Sequence, residues 1–146
     1  MTTFRRVVFD TSTLVSAALR VGSMPHRALA RAWETCEVCA SQATLAELEK
    51  VLARAKFDRY QPREERKEFV SILRHGASLF AVSEVDVANV SPPCRDPQDN
   101  MFLALTGICE ADALISSDAD LLVLHPWNGV PIISPSAFMD LQRDKP

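Results

Sequence analysis

The sequence contains no apolar run that approaches the roughly 20 residues a membrane-spanning helix needs. Its N-terminus leads directly into a strand pattern and lacks the apolar core and cleavage site of a secretory signal. It also lacks internal repeats, low-complexity tracts and linker-like stretches. These absences argue against a membrane protein, a secreted precursor and a string of domains. We expect a cytoplasmic protein with one domain over residues 1–146 and a core at about residues 4–138.

Cysteine is scarce and does not form a metal-binding pattern. Four cysteines occur, at Cys36, Cys39, Cys94 and Cys109. The first two have the spacing of a zinc knuckle, but no second close pair follows. Since Cys39 lies in a strand pattern and Cys109 in an apolar helix pattern, we interpret the four as plain thiols.

Charge is divided unevenly along the chain. The formal net charge is −3, which by itself argues against non-specific binding to nucleic acid. Residues 1–75 nevertheless carry 13 Lys and Arg against 9 Asp and Glu, whereas residues 76–146 carry 3 against 10. A basic rim beside an acidic pocket suits a polyanion cut at its backbone, and a solvated helical face explains the same pattern equally well. The candidate contacts to such a polyanion are Arg54, Lys56, Arg66 and Lys67.

Short β-branched apolar segments alternate with amphipathic helices along the whole sequence. This order predicts an α/β protein with three layers, α/β/α, around a mainly parallel sheet of about five strands. The helix after the second strand could be capped by either Ser41 or Thr44. In the helix from about Arg63 to His75, periodicity predicts Phe69, Ile72 and Leu73 inward and Arg66 outward. The predicted strands are residues 5–9, 37–41, 79–82, 113–117 and 131–134.

Four carboxylates lie where strands are predicted to meet helices. Asp10 and Asp118 end apolar strands, Asp99 lies at the start of an apolar helix, and Glu47 lies in the first turns of another. The carboxyl ends of parallel strands meet at one crevice, so these acids should converge there. Because they would repel one another, a hard divalent cation with oxygen ligands, Mg²⁺ or Mn²⁺, is the natural occupant. Such a site suits the hydrolysis of phosphodiesters.

Helix capping offers a separate explanation for each acid. Asp10 can be an N-cap, and Asp96 fits the N-cap of another helix with Pro97 at its first position, N1, which places Asp99 at N3. Capping would have to explain each of the four acids at this edge separately, whereas one shared ion explains all four. Side chains near the acids could orient them or join the site: Ser12, Ser117, Asp96 and Asp120.

Four stretches resemble the PIN-domain family, and within it the bacterial and archaeal VapC-like ribonucleases of toxin–antitoxin pairs. Together they span about residues 4–138 in the family's order, and the ordered set is more specific than any one of them. The stretches are residues 7–16, 41–48, 95–105 and 111–122.

The resemblance implies an endoribonuclease whose metal-binding, catalytic acids are Asp10, Glu47, Asp99 and Asp118. One or two Mg²⁺ or Mn²⁺ ions would activate a water that attacks phosphorus. It also implies an RNA substrate, a cognate antitoxin and a homodimer. Many relatives carry Asn where this chain has Ser12 and Thr where it has Ser117, and neither difference removes a carboxylate.

Two other functions fit parts of the sequence. A phosphoaspartyl hydrolase would also place Asp at the end of the first strand, but it needs a second Asp where this chain has Ser12. A non-catalytic PIN-like binding module would dock a partner without cutting RNA, and the presence of all four acids argues against it. His26, His75 and His125 are scattered, so the sequence indicates no histidine general acid.

Overall fold

The computed structural model describes residues 4–142 of the chain. Within them, five strands form one sheet in the order β3-β2-β1-β4-β5, and every pair of neighbours is parallel. The predicted α/β fold with a five-stranded parallel sheet is therefore confirmed. The strands are β1 (Arg6–Phe9), β2 (Glu37–Ala40), β3 (Ser78–Leu79), β4 (Ala113–Ile115) and β5 (Ile132–Ile133).

Helices cover both faces of the sheet and make the structure three-layered. Two 3₁₀ turns lie between them, at Ala55–Phe57 and Pro97–Asp99. The short helix at Glu84–Ala88 was not predicted, and the strands are shorter at their ends than the sequence suggested. The helices are α1 (Thr11–Leu19), α2 (Met24–Thr35), α3 (Gln42–Leu52), α4 (Arg63–Gly76), α5 (Glu84–Ala88), α6 (Asn100–Ile108), α7 (Ala119–Leu122) and α8 (Pro135–Leu141).

The central strand β1 is buried on both faces. Val7 and Phe9 pack into the core under α1–α4 and α8, whereas Val8 packs into the core under α6 and α7. This division follows from the alternation of side chains along a strand. A strand buried on both faces needs an unbroken apolar sequence, which is the signal that identified β1.

Helix α3 begins with a cap that uses both residues the sequence left open. The Ser41 hydroxyl accepts a hydrogen bond from the Thr44 backbone N–H at 3.1 Å. The Thr44 hydroxyl accepts one in return from the Ser41 backbone N–H at 2.9 Å. Ser41 is therefore the N-cap and Thr44 completes the capping box, which fixes where the helix that carries Glu47 starts.

The predicted inward face of α4 is correct at Leu73, which is buried, and at Phe69, which is half-buried against the core, and wrong at Ile72. Val70 and Leu73 are buried, whereas Ile72 is 57% exposed. On α2, Trp33 is 39% exposed. Both exposed side chains line a groove of about 460 Å³ between α1, α2 and α4, which three acids border: Glu34, Glu65 and Glu68.

Arg66 was predicted to face solvent and is only 1% exposed. It lies one turn before Val70, on the same face of α4. Its guanidinium donates hydrogen bonds to backbone carbonyls on both sides of the α3–α4 connection and pairs with the Asp58 carboxylate. The carbonyl acceptors are those of Leu52, Arg54 at 3.1 Å and Gln61 at 3.2 Å. Since every nitrogen is occupied internally, the predicted RNA contact by Arg66 is wrong.

All four cysteines are free thiols. Among residues 4–142, no helix is long and apolar enough to span a bilayer.

Replacing Arg66 should destabilise the fold. Arg66→Ala leaves buried carbonyls without a donor and should lower the free energy of unfolding by about 3 kcal/mol. The neighbouring Lys67 is 61% exposed and, among residues 4–142, pairs only with Glu64 at 3.7 Å, so Lys67→Ala should change the free energy of unfolding by less than about 0.5 kcal/mol. Urea unfolding of both variants measures this, and equal stabilities would contradict the anchoring role of Arg66.

Candidate active site

Asp10 lies directly after β1 and serves as the N-cap of α1. Its Oδ1 accepts a hydrogen bond from the Thr13 backbone N–H at 3.1 Å. Its Oδ2 accepts hydrogen bonds from the hydroxyls of Ser116 at 2.7 Å and Ser12 at 3.2 Å. The residue is only 2% exposed, and this burial raises the pKa of its carboxyl above the ordinary value, against the opposing effect of the hydrogen bonds.

Asp118 follows β4 and caps the short helix α7. Its Oδ1 accepts a hydrogen bond from the backbone N–H of Asp120 at 2.9 Å. Its own backbone N–H donates to the Ser116 hydroxyl at 2.9 Å. Ser116 therefore connects the Asp118 backbone to the Asp10 carboxylate through one hydroxyl.

Sequence reasoning named the wrong serine of this pair. The Ser117 side chain is exposed, and its backbone N–H donates to the Thr13 hydroxyl at 3.2 Å. Ser116 is fully buried, and it orients Asp10 instead. Adjacency to Asp118 suggested Ser117, whereas the useful signal was that Ser116 is the first residue after β4, as Asp10 is the first after β1.

Asp99 lies at the end of the 3₁₀ turn before α6 and is half-buried. Burial, the hydrogen bond shared with Asp118 and the negative charges of Asp118, Asp96 and Asp10 together raise the pKa of Asp99 to about 7, and burial has the largest effect. The structure thus brings Asp99 into contact with Asp118 and near Asp10 and Asp96. Such mutual repulsion is the condition that a cation would relieve.

The remaining predicted residues occupy different surroundings. Asp96 is exposed and caps the 3₁₀ turn through a hydrogen bond from Gln98 N–H at 3.0 Å. Asp120 is half-buried beside Asp118. Glu47 is half-buried on α3 and forms no hydrogen bond or ion pair within residues 4–142.

Cys94 borders the acidic group and was missed by sequence reasoning. It is 5% exposed, and its thiol lies 3.5 Å from the backbone carbonyl of Asp120. Burial raises the pKa of the Cys94 thiol, as do the negative charges of Asp99, Asp118 and Asp120. The negative charges of the acids therefore raise the pKa of the neighbouring thiol as well as that of Asp99.

The acids fit a divalent metal by their chemistry. In residues 4–142, no three or more Asp, Glu, His or Cys side chains come together closely enough to form a direct metal cluster. Mg²⁺ does not need one, because it keeps several of its waters and binds through one or two carboxylates. Asp99 and Asp118 provide such a pair, and no Lys or Arg among the described residues forms an ion pair with either of them.

The histidines have structural roles. Nδ1 of His26 and of His125 accepts backbone hydrogen bonds, from Gly22 at 3.1 Å and Ile132 at 2.9 Å. Nδ1 of His75 lies 2.7 Å from the Ser71 carbonyl. None of the three is engaged with the acids.

The other predicted RNA contacts are at the surface. Arg54 and Lys56 are exposed on the connection between α3 and α4. Lys67 is exposed on α4. Of the four candidates, only Arg66 is buried.

The fold and the sequence were compared with known proteins. VapBC2 of Rickettsia felis, solved with a DNA fragment from its promoter, superposes with a TM-score of 0.64 at 11% identity and covers 88% of this chain and 98% of its own. The sarcin–ricin loop cleaving toxin VapC20 of Mycobacterium tuberculosis gives 0.54 at 15% identity, covering 78% and 91%. PAE2754 of Pyrobaculum aerophilum gives 0.59 at 15% identity, covering 94% and 96%.

At these identities the likeness establishes the shared fold. The search of curated proteins gave no significant match. The family model of the PIN domain matches residues 6–120, which is most of the chain and spans every acid described above. The chain therefore belongs to the PIN domain family.

Proposed function

We propose that this protein is a metal-dependent endoribonuclease that hydrolyses RNA phosphodiesters. The observation that carries this proposal is the pair of contacting carboxylates, Asp99 and Asp118, next to Asp10 at the carboxyl edge of the sheet. Carboxylates this close together lower the stability of the fold unless a cation compensates their negative charge. Membership of the PIN domain family and the fold shared with a toxin that cleaves the sarcin–ricin loop support the same chemistry.

Asp10, Asp99 and Asp118 would hold one or two Mg²⁺ or Mn²⁺ ions, and Glu47 is the fourth proposed ligand. When bound, the metal supplies a water of lowered pKa and neutralises charge on the phosphate. The chain's own contribution is to orient oxygen ligands: Ser116 fixes Oδ2 of Asp10, and the helix N-terminus fixes Oδ1.

We further propose that the protein is the toxin of a toxin–antitoxin pair and works as a homodimer. The likeness to VapBC2, bound to a DNA fragment from its promoter, and to the toxin VapC20 supports this assignment. The apolar groove lined by Trp33 and Ile72 suits an amphipathic helix, and its acidic border suits basic residues beside that helix. The Gln61 side-chain oxygen, buried without a hydrogen-bond partner, lies in the same groove.

The proposed activity predicts metal-dependent RNA cleavage. The wild-type protein should cut single-stranded RNA in Mn²⁺ or Mg²⁺ and stop in EDTA. Asp118→Asn should lower the rate at least about 100-fold, because it removes a carboxylate that holds the ion. Gel analysis of end-labelled RNA measures both results. Full cleavage by Asp118→Asn would refute metal-assisted hydrolysis, and no cleavage of any RNA by the wild type would favour the binding-module alternative.

The same pair of proteins tests the toxin assignment in cells. Expression of the wild type should slow growth, and Asp118→Asn should not. Co-expression of the cognate antitoxin should restore growth.

Metal binding should stabilise the native state. Near 100 times its Kd, Mn²⁺ should add about 2.7 kcal/mol and raise the melting temperature by several degrees. Asp99→Asn removes one of two repelling acids, so the metal-free variant should melt about 2 °C or more above the wild type and respond less to Mn²⁺. Differential scanning calorimetry with and without metal measures both effects. Identical metal responses would remove Asp99 from the site.

The adjacent serines Ser116 and Ser117 form a matched pair for testing orientation of the acids. Ser116→Ala removes the hydroxyl bound to Asp10 and should reduce the apparent Mn²⁺ affinity or the cleavage rate about 10–100-fold. Ser117→Ala changes an exposed side chain and should leave both near wild type. Activity titrated against Mn²⁺ separates the two, and equal effects would exclude a special role for Ser116.

A further inference from the structure

We propose that residues 54–60, which we name the basic arm, bind the single-stranded RNA backbone and stack a base. The arm connects α3 to α4 and includes the 3₁₀ turn Ala55–Phe57. This inference rests on the proposed function, since it supplies the surface that positions RNA for the acids.

The arm concentrates positive charge that is not neutralised locally. Arg54, Lys56 and Arg59 are all exposed. The arm's single acid is Asp58, and its carboxylate pairs with the buried guanidinium of Arg66. Three cations therefore face solvent in a seven-residue segment of a protein whose net charge is −3. Such a local excess attracts phosphates even where the whole chain does not.

Aromatic rings lie among these cations. Tyr60 is 57% exposed, and the Arg59 guanidinium lies 5.1 Å from the centre of its ring. The Lys56 ammonium lies 5.1 Å from the centre of the Phe57 ring. Cations beside an exposed ring are the combination that proteins use for single strands, with phosphates on the charges and a base on the ring. An acidic protein partner would use the charges but would not need the exposed ring.

The arm is held from beneath by Arg66. Hydrogen bonds from this one side chain reach the carbonyls of Leu52, Arg54 and Gln61, on both sides of the arm. The Gln61 side chain adds a hydrogen bond of 3.2 Å to the carbonyl of Ala18. Because the backbone is fixed before RNA arrives, little of its freedom is lost on binding. Arg66 is thus a positioning residue for the surface that it was predicted to join directly.

The position of the arm relative to α3 suits a substrate track. Arg54 lies just beyond the end of α3, the helix that carries Glu47. Lys50 is exposed between them, in the last turn of α3. An RNA strand bound along this line would run from the arm toward Glu47 on α3, the proposed fourth metal ligand.

Binding in EDTA tests the arm without cleavage. Fluorescence anisotropy would compare wild type with Arg54→Ala/Arg59→Ala, using a fluorescein-labelled single-stranded RNA of mixed sequence. The double variant should raise the Kd at least tenfold and reduce the slope of log K against log salt by about 1.4, the value for two lost contacts to a single strand. Tyr60→Ala should raise the Kd about fivefold or more, and Tyr60→Phe, which keeps the ring, should not.

The matched control is Arg20→Ala/Arg27→Ala, which removes the same charge from exposed sites on other elements. If this control weakens RNA binding as much as the arm variant, net charge explains the effect and the arm proposal is wrong. Wild-type RNA affinity in both arm variants would also overturn the arm proposal. It would then favour an acidic protein surface as the partner of the arm's cations. In Mn²⁺, the arm double variant should raise KM with little change in kcat.

Failure of the proposed nuclease function would give a different result. Loss of RNA binding in the arm variants together with no cleavage by the wild type would support the arm as an RNA surface on a non-catalytic protein. Unchanged RNA binding in the arm variants, together with normal Asp118-dependent cleavage, would overturn the arm proposal and leave the proposed nuclease function standing.

Discussion

The register between β1 and β4 determines where the site forms. Phe9 pairs with Ile115 across the two parallel strands, so the next residues along, Asp10 and Ser116, face each other at the carboxyl edge. Their side chains meet at 2.7 Å, and the backbone N–H of Asp10 donates to the Ile115 carbonyl at 3.3 Å. A slip of one residue would turn every side chain of a strand to the opposite face. The buried apolar residues of β1 and β4 prevent such a slip, so packing of the core also sets the geometry of the acids.

The sequence predicted a structural feature correctly where neighbouring residues alone determine that feature, and failed where distant parts of the chain determine it. The carboxylates were found because an apolar run followed by a polar residue is a local pattern. This pattern placed Asp10 correctly at the end of β1, whereas Asp118 lies three residues beyond the end of β4. The buried face of α4 was not decided locally. Its periodicity predicted Phe69, Ile72 and Leu73 inward, whereas the buried residues are Arg66, Val70 and Leu73, and this buried set includes a charged residue. Only the carbonyls left at the α3–α4 connection explain why an arginine is preferred there, and those carbonyls are not visible in the sequence.

Capping and metal binding were weighed as alternatives, but the structure makes them compatible. Asp10, Asp96 and Asp118 all accept hydrogen bonds from backbone N–H groups at the start of a helix or turn. A helix N-terminus favours negative charge and offsets part of the cost of placing carboxylates together. Each cap also fixes one oxygen of its carboxylate and leaves the other for hydroxyls or a ligand. A residue type that explains local structure can therefore still carry function.

Asp99 differs from those three acids in a way that separates function from folding. It stands at the N-cap position of α6, yet its side chain makes no capping hydrogen bond. It is half-buried against Asp118, and burial together with the neighbouring charges raises its pKa to about 7. Placing Asp99 here therefore costs folding free energy, and no capping hydrogen bond offsets that cost. Natural sequences concentrate such local conflicts at functional sites. Since a cation between Asp99 and Asp118 would turn their repulsion into shared attraction, this contact is the strongest physical argument for the proposed ion site.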